Sequence, residues 1–572
     1  MDNPWSLSSS PSSHAEKRYT FEESGEIRRP MKGHADAAQP INADAAISHF
    51  PPELLSKIFL ICAALSPTDE LDNRTRDQDQ NHFECADNLP WIAIAQVCRY
   101  WRSIVLGCGE LWRRLVFSSP EATSEMVRRS NGVPLIVQAE GYDGTLYENI
   151  RMVISDMQRV SVLHLSFPPY HLQHILQELS ATAPQLESFR LRTPSYYTRG
   201  RGILNFDFSG DSFKMPDFIY TPSLRLLELT RCNFSWKPLP LCGLTHLELR
   251  KISPPPTIAQ IISFLRGLPI LNTLILEEAL PTFLPNDTSP DNPPPRQLLR
   301  NLHALTLCGN IDACSRFLKQ LCYAPATAVT LKYDISSSSS PNFGELLRAA
   351  ESAATFGGGD RLIRSLLVAN GSGHLIFSHS ATSLSSSNVP RLTIIMGGQN
   401  YFLRGVDSNH LVRSTVIVLP IAEVQMLYLS GGLLSIDWSE LLHHLPKIHT
   451  IHIRHAFPIN FINLLAGGVE QTMGPRPVTV LLPQLRSLWL TDVDFRASGC
   501  TPESFLACLR SRAQVDSAIQ DLHIQDCLCL YDREVEKMKE FVQDVDWDEI
   551  EQDNPYDYDG GGNDYEGIDN FD

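Results

Sequence analysis

From about Met157 onward one phrase recurs along the chain: an apolar residue, two variable positions, a second apolar residue, one variable position and a third apolar residue. It opens with Val160-x-x-Leu163-x-Leu165 and continues through Leu186-x-x-Phe189-x-Leu191, Leu224-x-x-Leu227-x-Leu229, Leu244-x-x-Leu247-x-Leu249, Leu271-x-x-Leu274-x-Leu276 and Leu302-x-x-Leu305-x-Leu307. After weaker matches at Ala326, Ile363 and Val389 it returns as Val424-x-x-Leu427-x-Leu429, Ile448-x-x-Ile451-x-Ile453, Leu485-x-x-Leu488-x-Leu490 and Ile519-x-x-Leu522-x-Ile524. Alternation within each phrase predicts a short strand with its second and third apolar residues inward and its variable residues outward. Helix-like stretches lie between the phrases, at Pro256 to Leu268, Ile311 to Leu321, Ser439 to Leu445 and Pro502 to Arg510. Strands that return after a helix to lie parallel to one another build a curved solenoid, its concave face lined by the variable positions. An ordinary α/β domain with leucine-rich strands would give a similar pattern.

The chain opens differently. In Phe50-Pro-Pro-Glu-Leu-Leu-Ser-Lys-Ile-Phe59, Pro52 can take the first helical position without wasting an amide, and Glu53 then sits at the positive end of the helix dipole. Leu55, Ile58, Phe59 and Cys62 fall at helical spacing, and Ile94, Val97, Cys98 and Trp101 repeat it, so two amphipathic helices are expected, followed by a short element at Leu111, Trp112 and Leu115. A polar insertion at about 66–88 separates the first two runs and reads as a solvated loop.

The Pro-Pro-Glu-Leu-Leu opening, the Val97-Cys-Arg-Tyr-Trp-Arg102 run and the closing Leu111-Trp112 resemble an F-box, the helical module that plugs a substrate receptor into a Skp-type adaptor of cullin-RING ubiquitin ligases. Where the family commonly has leucine before the proline, this chain has His49-Phe50-Pro51, and Phe50 can supply the apolar anchor. The resemblance implies adaptor docking through Pro52, Leu54, Leu55, Ile58, Phe59, Val97, Cys98, Trp101, Leu111 and Trp112, some of which must instead hold the helices together. The recurring phrase is similar to the leucine-rich repeats of many F-box receptors, although the usual Asn or Cys after the phrase is seen only occasionally, as at Cys232 and Asn233.

The expected fold is therefore α/β: an N-terminal three-helix F-box followed by an irregular leucine-rich-repeat-type solenoid with a parallel sheet. Residues 1–46 should be a disordered segment, 47–118 the helical module, 119–156 a connection, 157–530 the solenoid, and 531–572 a helix end and disordered acidic tail. The serine-rich segments Ser336 to Ser340 and Ser378 to Ser387 read as loops.

A formal charge of −17 speaks against nucleic acid or anionic lipid as a partner. Much of it is local, because Asp544 to Asp572 holds 12 acidic residues and no Lys or Arg. No secretory h-region and no run of about 18 apolar residues appears, so a cytoplasmic or nuclear protein is expected. The 13 cysteines lack the paired spacing of a zinc site. Phosphate-loop, nucleophile-elbow and zinc-helix motifs are missing, and neither enzymatic chemistry nor a cofactor or metal is expected. His443, His444, His449, His452 and His455 crowd together in sequence, but on the strand around Ile451 and Ile453 His452 points outward while His449 and His455 sit at its ends, which speaks against convergence on one ion.

The outward strand positions are the candidates for binding a protein target. Arg190, Arg192, Arg250, Tyr428, His452, Arg454 and Trp489 carry the side-chain types that dominate interface energetics. Glu228, also outward, is expected to tolerate replacement. A repeat scaffold whose N-terminal helices merely cap the repeats is the alternative reading.

Overall fold

A computed structural model describes residues 50–64 and 89–552, except 142–145, 181, 194–195, 200–201, 206–212, 215–219, 234–235, 237–240, 282–295, 335–341, 355–362, 372–373, 381–390, 398–407, 431–435, 459, 468–480 and 497–499. The chain divides into two compact units, the first holding 50–64 and 90–107, the second holding everything from Cys108 onward.

In the first unit α1 (Pro52–Ala64) starts where the tandem prolines place it. The Pro51 carbonyl accepts from the amides of Leu54 and Leu55 at 3.0 and 3.2 Å, which closes the first turn. The second helical run departs from expectation. Pro90–Gln96 is a tight 3-10 turn, the chain breaks at Val97 and Cys98, and α2 is Arg99–Gly107. The Cys98 sulfur accepts the Trp101 amide at 3.4 Å and so caps the new helix, while Arg102 Nε donates to the Ala95 carbonyl at 2.9 Å across the break.

The second unit is mixed α/β, built on a sixteen-stranded sheet. Its strands are β1 (Leu135–Glu140), β2 (Val160–Ser166), β3 (Ser188–Arg192), β4 (Leu226–Thr230), β5 (His246–Arg250), β6 (Thr273–Glu277), β7 (Ala304–Cys308), β8 (Ala328–Asp334), β9 (Ser365–Gly371), β10 (His374–Ser380), β11 (Leu392–Gly397), β12 (Met426–Ser430), β13 (Thr450–Arg454), β14 (Ser487–Thr491), β15 (Asp521–Gln525) and β16 (Asp544–Trp547). Helix α3 (Pro120–Arg129) precedes them, and α4 (Tyr147–Ile154), α5 (Pro169–Gln177), α6 (Ile258–Arg266), α7 (Ile311–Lys319), α8 (Phe343–Ala353), α9 (Ser408–Val418), α10 (Trp438–His443), α11 (Phe461–Leu465), α12 (Pro502–Gln514) and α13 (Asp532–Met538) lie between them. From α7 to α13 each helix packs on the next.

The recurring phrase sets the register. Its second apolar residue aligns across neighbouring strands as Leu163, Phe189, Leu227, Leu247, Leu274, Leu305 and Val329, all buried. A hydrogen-bonding pattern recurs with it. The amides of Thr245 and His246 both donate to the Arg225 carbonyl, those of Asn272 and Thr273 to Thr245, and those of Arg486 and Ser487 to His449. Just past the strands, Arg231, Lys251, Glu278, His455, Asp492 and Asp526 have positive φ. That conformation costs a residue with a Cβ roughly 1–2 kcal/mol. It is held because the first five of these amides donate to the carbonyl of a residue ending a neighbouring strand, as Arg231 does to Arg250 and Asp492 to Gln525, and the Asp526 amide donates to the Asp548 carboxylate.

Four expectations need correction. Residues 119–156 are no mere connection, since they contribute α3, β1 and α4, and β1 pairs parallel with β2. The sheet is not parallel throughout: its order runs from β1 to β8, then β11, β10, β9, then β12 to β16, with β10 antiparallel to both its neighbours. Ser378 to Ser380 therefore belong to a strand, while 381–387 and Ser336 to Ser340 lie outside the described residues. The acidic segment begins as β16, paired parallel with β15 through backbone groups that need no apolar side chain. Residues 1–46, 66–88 and 553–572 lie outside the described residues.

Candidate functional site

Helix α1 divides its apolar residues between two faces. Leu55 and Phe59 are buried, and the Phe59 ring packs on Trp101 with centroids 5.1 Å apart. Leu54, Ile58 and Ile61, at i, i+4 and i+7, are 49%, 38% and 57% exposed, and Val97 is 58% exposed. Phe50, Ile92, Tyr100 and Leu106 add further exposed apolar surface to the same small unit, where soluble surfaces ordinarily carry scattered single residues. Of the residues expected to dock, Pro52, Leu54, Ile58 and Val97 are thus at the surface, Cys98 and Trp101 are half-buried, and Leu55 and Phe59 form core. The sequence reading missed Ile61, although its spacing from Ile58 marks the same face.

Leu111 and Trp112 belong to the second unit, where both are buried. The Arg129 guanidinium lies 4.5 Å from the Trp112 ring centroid, and the Arg113 carbonyl accepts the Ile136 amide of β1 at 2.8 Å. This last element is built into the start of the sheet.

On the outward face of β2 to β6 the variable positions form an ion-pair ladder. Glu228, only 2% exposed, is paired with Arg190 at 3.2 Å and with Arg192. Beside it Glu248 is paired with Arg250, which also reaches Glu277 at 3.2 Å. Burial works to raise the Glu248 carboxyl, but the hydrogen bond from His246 and the charge of Arg250 outweigh it and hold the group at about 2. Arg190, Arg192 and Arg250 accordingly have intramolecular partners. The expectation that Glu228 is expendable is wrong, because an outward side chain between close strands is covered by its neighbours.

His164, next in this row, hydrogen-bonds Gln138 through Nδ1 (3.2 Å) and Ser188 through Nε2 (2.8 Å). Burial, with the charges of Arg190, Arg192 and Arg114, pushes its imidazole down to about 3. A histidine held neutral in the fold but free to protonate near pH 6.5 when unfolded contributes stability above that pH and loses it as pH falls toward its folded value. Thermal stability should decline from pH 7 to pH 5, and His164→Gln should show a shallower decline, checked by thermal melts of both proteins across that range.

The outward face of β12 to β16 is of another kind. Tyr428, His452, Trp489 and His523 are register partners on consecutive strands and stack with centroid separations of 4.5, 5.2 and 3.6 Å and interplanar angles of 13°, 17° and 18°. His523 Nδ1 lies 3.0 Å from Asp546. Burial, with His523 nearby, lowers the His452 imidazole to about 4. Trp489 is 38% exposed and Arg454 is paired with Asp492 at 3.0 Å. Tyr428, His452 and Trp489 are thereby brought together, Arg454 lies beside them, and Arg190, Arg192 and Arg250 sit in the separate ion-pair ladder. His523, which the alternation also places outward, completes the row.

The histidines near Tyr428 do not converge: His443 and His444 bond the carbonyls of Ser439 and Glu440 one turn back, and His449 contacts Thr450. Among the described residues no group of three or more His, Cys, Asp or Glu side chains could hold a metal ion. Cys527 and Cys529 are buried and unbridged. No described helix is long and apolar enough to cross a membrane.

A helical N-terminal region with an exposed apolar face, joined in sequence to a large α/β sheet, is the class these observations define. The sequence model of the F-box-like family matches residues 47–118, and the chain carries an F-box-like domain there. No curated protein matches the chain. Among solved structures, the TLR13–ssRNA13 complex is similar with a TM-score of 0.20 and 12% identity, over 76% of this chain and 48% of that one. The chain spans about half the length of that structure.

Proposed function

We propose that the protein is the substrate-recognition subunit of an SCF-type cullin-RING ubiquitin ligase, its F-box-like domain docking on a Skp-type adaptor and its sheet-bearing unit, a leucine-rich-repeat-like solenoid, holding a protein target. The observation that carries this reading is the exposed row Leu54, Ile58 and Ile61 with Val97, within the matched F-box-like segment. The protein would perform no covalent step itself. Its contribution would be proximity, bringing a target lysine near the charged conjugating enzyme. Such a receptor would work in the cytoplasm or nucleus without a cofactor.

Full-length protein should co-purify a Skp-type adaptor and, through it, a cullin, whereas Leu54→Asp/Ile58→Asp should lose both, because the new carboxylates would be buried unpaired at the interface. Both positions are exposed in the free protein, so the double variant should fold. Leu55→Asp offers the contrast, a charge in the core that damages the fold first. Equal adaptor recovery by the double variant and the unaltered chain would leave the alternative, a scaffold without a ligase role.

A further inference from the structure

We infer that the outward face of β12 to β16 receives an arginine- or lysine-bearing segment of the protein's target, the aliphatic stem lying along the aromatic row and the cationic head reaching the aspartates at its end. This inference rests on the reading that target recognition lies on the sheet. The rings of Tyr428, His452, Trp489 and His523 use their faces on one another, so a partner meets their edges, an apolar ridge crossing four strands. Trp489 is the exposed member of the ridge, its indole nitrogen held by Ser487 at 3.0 Å.

Charge selects the occupant. Strands β13 to β16 contain Asp521, Asp544 and Asp546 against one arginine, Arg454, which Asp492 already pairs. Asp521 and Asp544 are register partners on adjacent strands, and among the described residues neither side chain has a hydrogen-bond or ion-pair partner. Like charges directly opposite each other destabilise a sheet. In the ladder of β3 to β6, by contrast, Glu228, Glu248 and Glu277 each have an arginine. Asp521 and Asp544 lack the cation that the ladder's glutamates possess. A long side chain with an apolar stem and a charged tip matches both the ridge and the carboxylates, whereas an acidic segment would meet repulsion.

The test measures fluorescence anisotropy of a labelled octa-arginine peptide, with octa-glutamate as its counterpart, on three full-length variants. One is Trp489→Ala; the second is Asp521→Asn/Asp544→Asn, isosteric and unable to act by unfolding the sheet; the third has the acidic residues of 553–572 changed to their amides. Octa-arginine should bind the unaltered protein and lose at least fivefold in affinity with each of the first two variants, while octa-glutamate does not bind. If either face variant binds octa-arginine as tightly as the unaltered protein, or if only the third variant loses binding, the inference fails and the peptide belongs to the acidic tail. Loss of adaptor co-purification would instead strike the ligase reading and leave this result untouched.

Discussion

Arg512→Met is expected to cost about 4 kcal/mol of stability in the sheet-bearing unit, because each buried carbonyl left without a donor costs roughly 1–3 kcal/mol before relaxation. Arg512 is only 1% exposed, and its guanidinium donates to the carbonyls of Ser517 at 3.1 Å, Leu465 at 3.0 Å, Leu481 at 3.1 Å and Leu482 at 2.9 Å. It thereby joins α12, the end of α11 and the approach to β14. Burial lowers the pKa of this cation, which backbone carbonyls hold. Arg512→Lys should recover only part of the loss, since an ammonium cannot span four carbonyls with a planar fork. Arg510→Ala, two residues away at the surface, should cost less than about 1 kcal/mol. Urea denaturation followed by intrinsic fluorescence ranks the three. A midpoint for Arg512→Met equal to that of Arg510→Ala would show that water replaces the guanidinium without penalty.

Glu228→Ala should be nearly as damaging, about 3 kcal/mol, because it leaves Arg190 and Arg192 side by side without their shared carboxylate. Glu228→Gln keeps the shape and removes the charge, and should fall between alanine and the unaltered chain. The comparison is Glu423→Ala, which removes an exposed pair with Lys447 and should change stability by no more than about 0.5 kcal/mol. The same denaturation experiment reads all three. Glu228→Ala matching Glu423→Ala would mean that the ladder is solvated and contributes nothing net.

Glu228 also marks how far the sequence can be read. Alternation around Leu227 and Leu229 gives its direction correctly, but burial depends on what the adjacent strands carry, and Arg192 and Glu248 come from phrases distant along the chain. The leucine phrases were legible because each one buries two residues on the same face. Strand β1 was not, because Pro134 stands where the phrase needs an apolar residue and Ala139 fills its last position. Strand β10 escaped for another reason: Leu375, Ile376 and Phe377 run consecutively without alternation, and nothing in the sequence marks strand direction. Composition misjudged β16, whose pairing rests on backbone amides and carbonyls. In the N-terminal helices, spacing identified the apolar residues of α1 and left open which of them the fold covers. The positive-φ turns were invisible because Arg231, Lys251 and Glu278 give no glycine signal.

The reversed order of β9, β10 and β11 bears on how the chain is made. As the protein leaves the ribosome, β1 to β8 can pair in the order of synthesis, each new strand joining the one just before it. That sequence stops at Asp334. The next strand to emerge, β9, pairs with β10 and β12 and not with β8, whose open side waits for Leu392–Gly397. At usual elongation speeds the edge of a nascent eight-stranded sheet stays uncovered for roughly 3–12 s, with the amides and carbonyls of β8 open to any other strand in the cell. Lys332 in that strand is the kind of residue that keeps such an edge from finding the wrong partner during the wait.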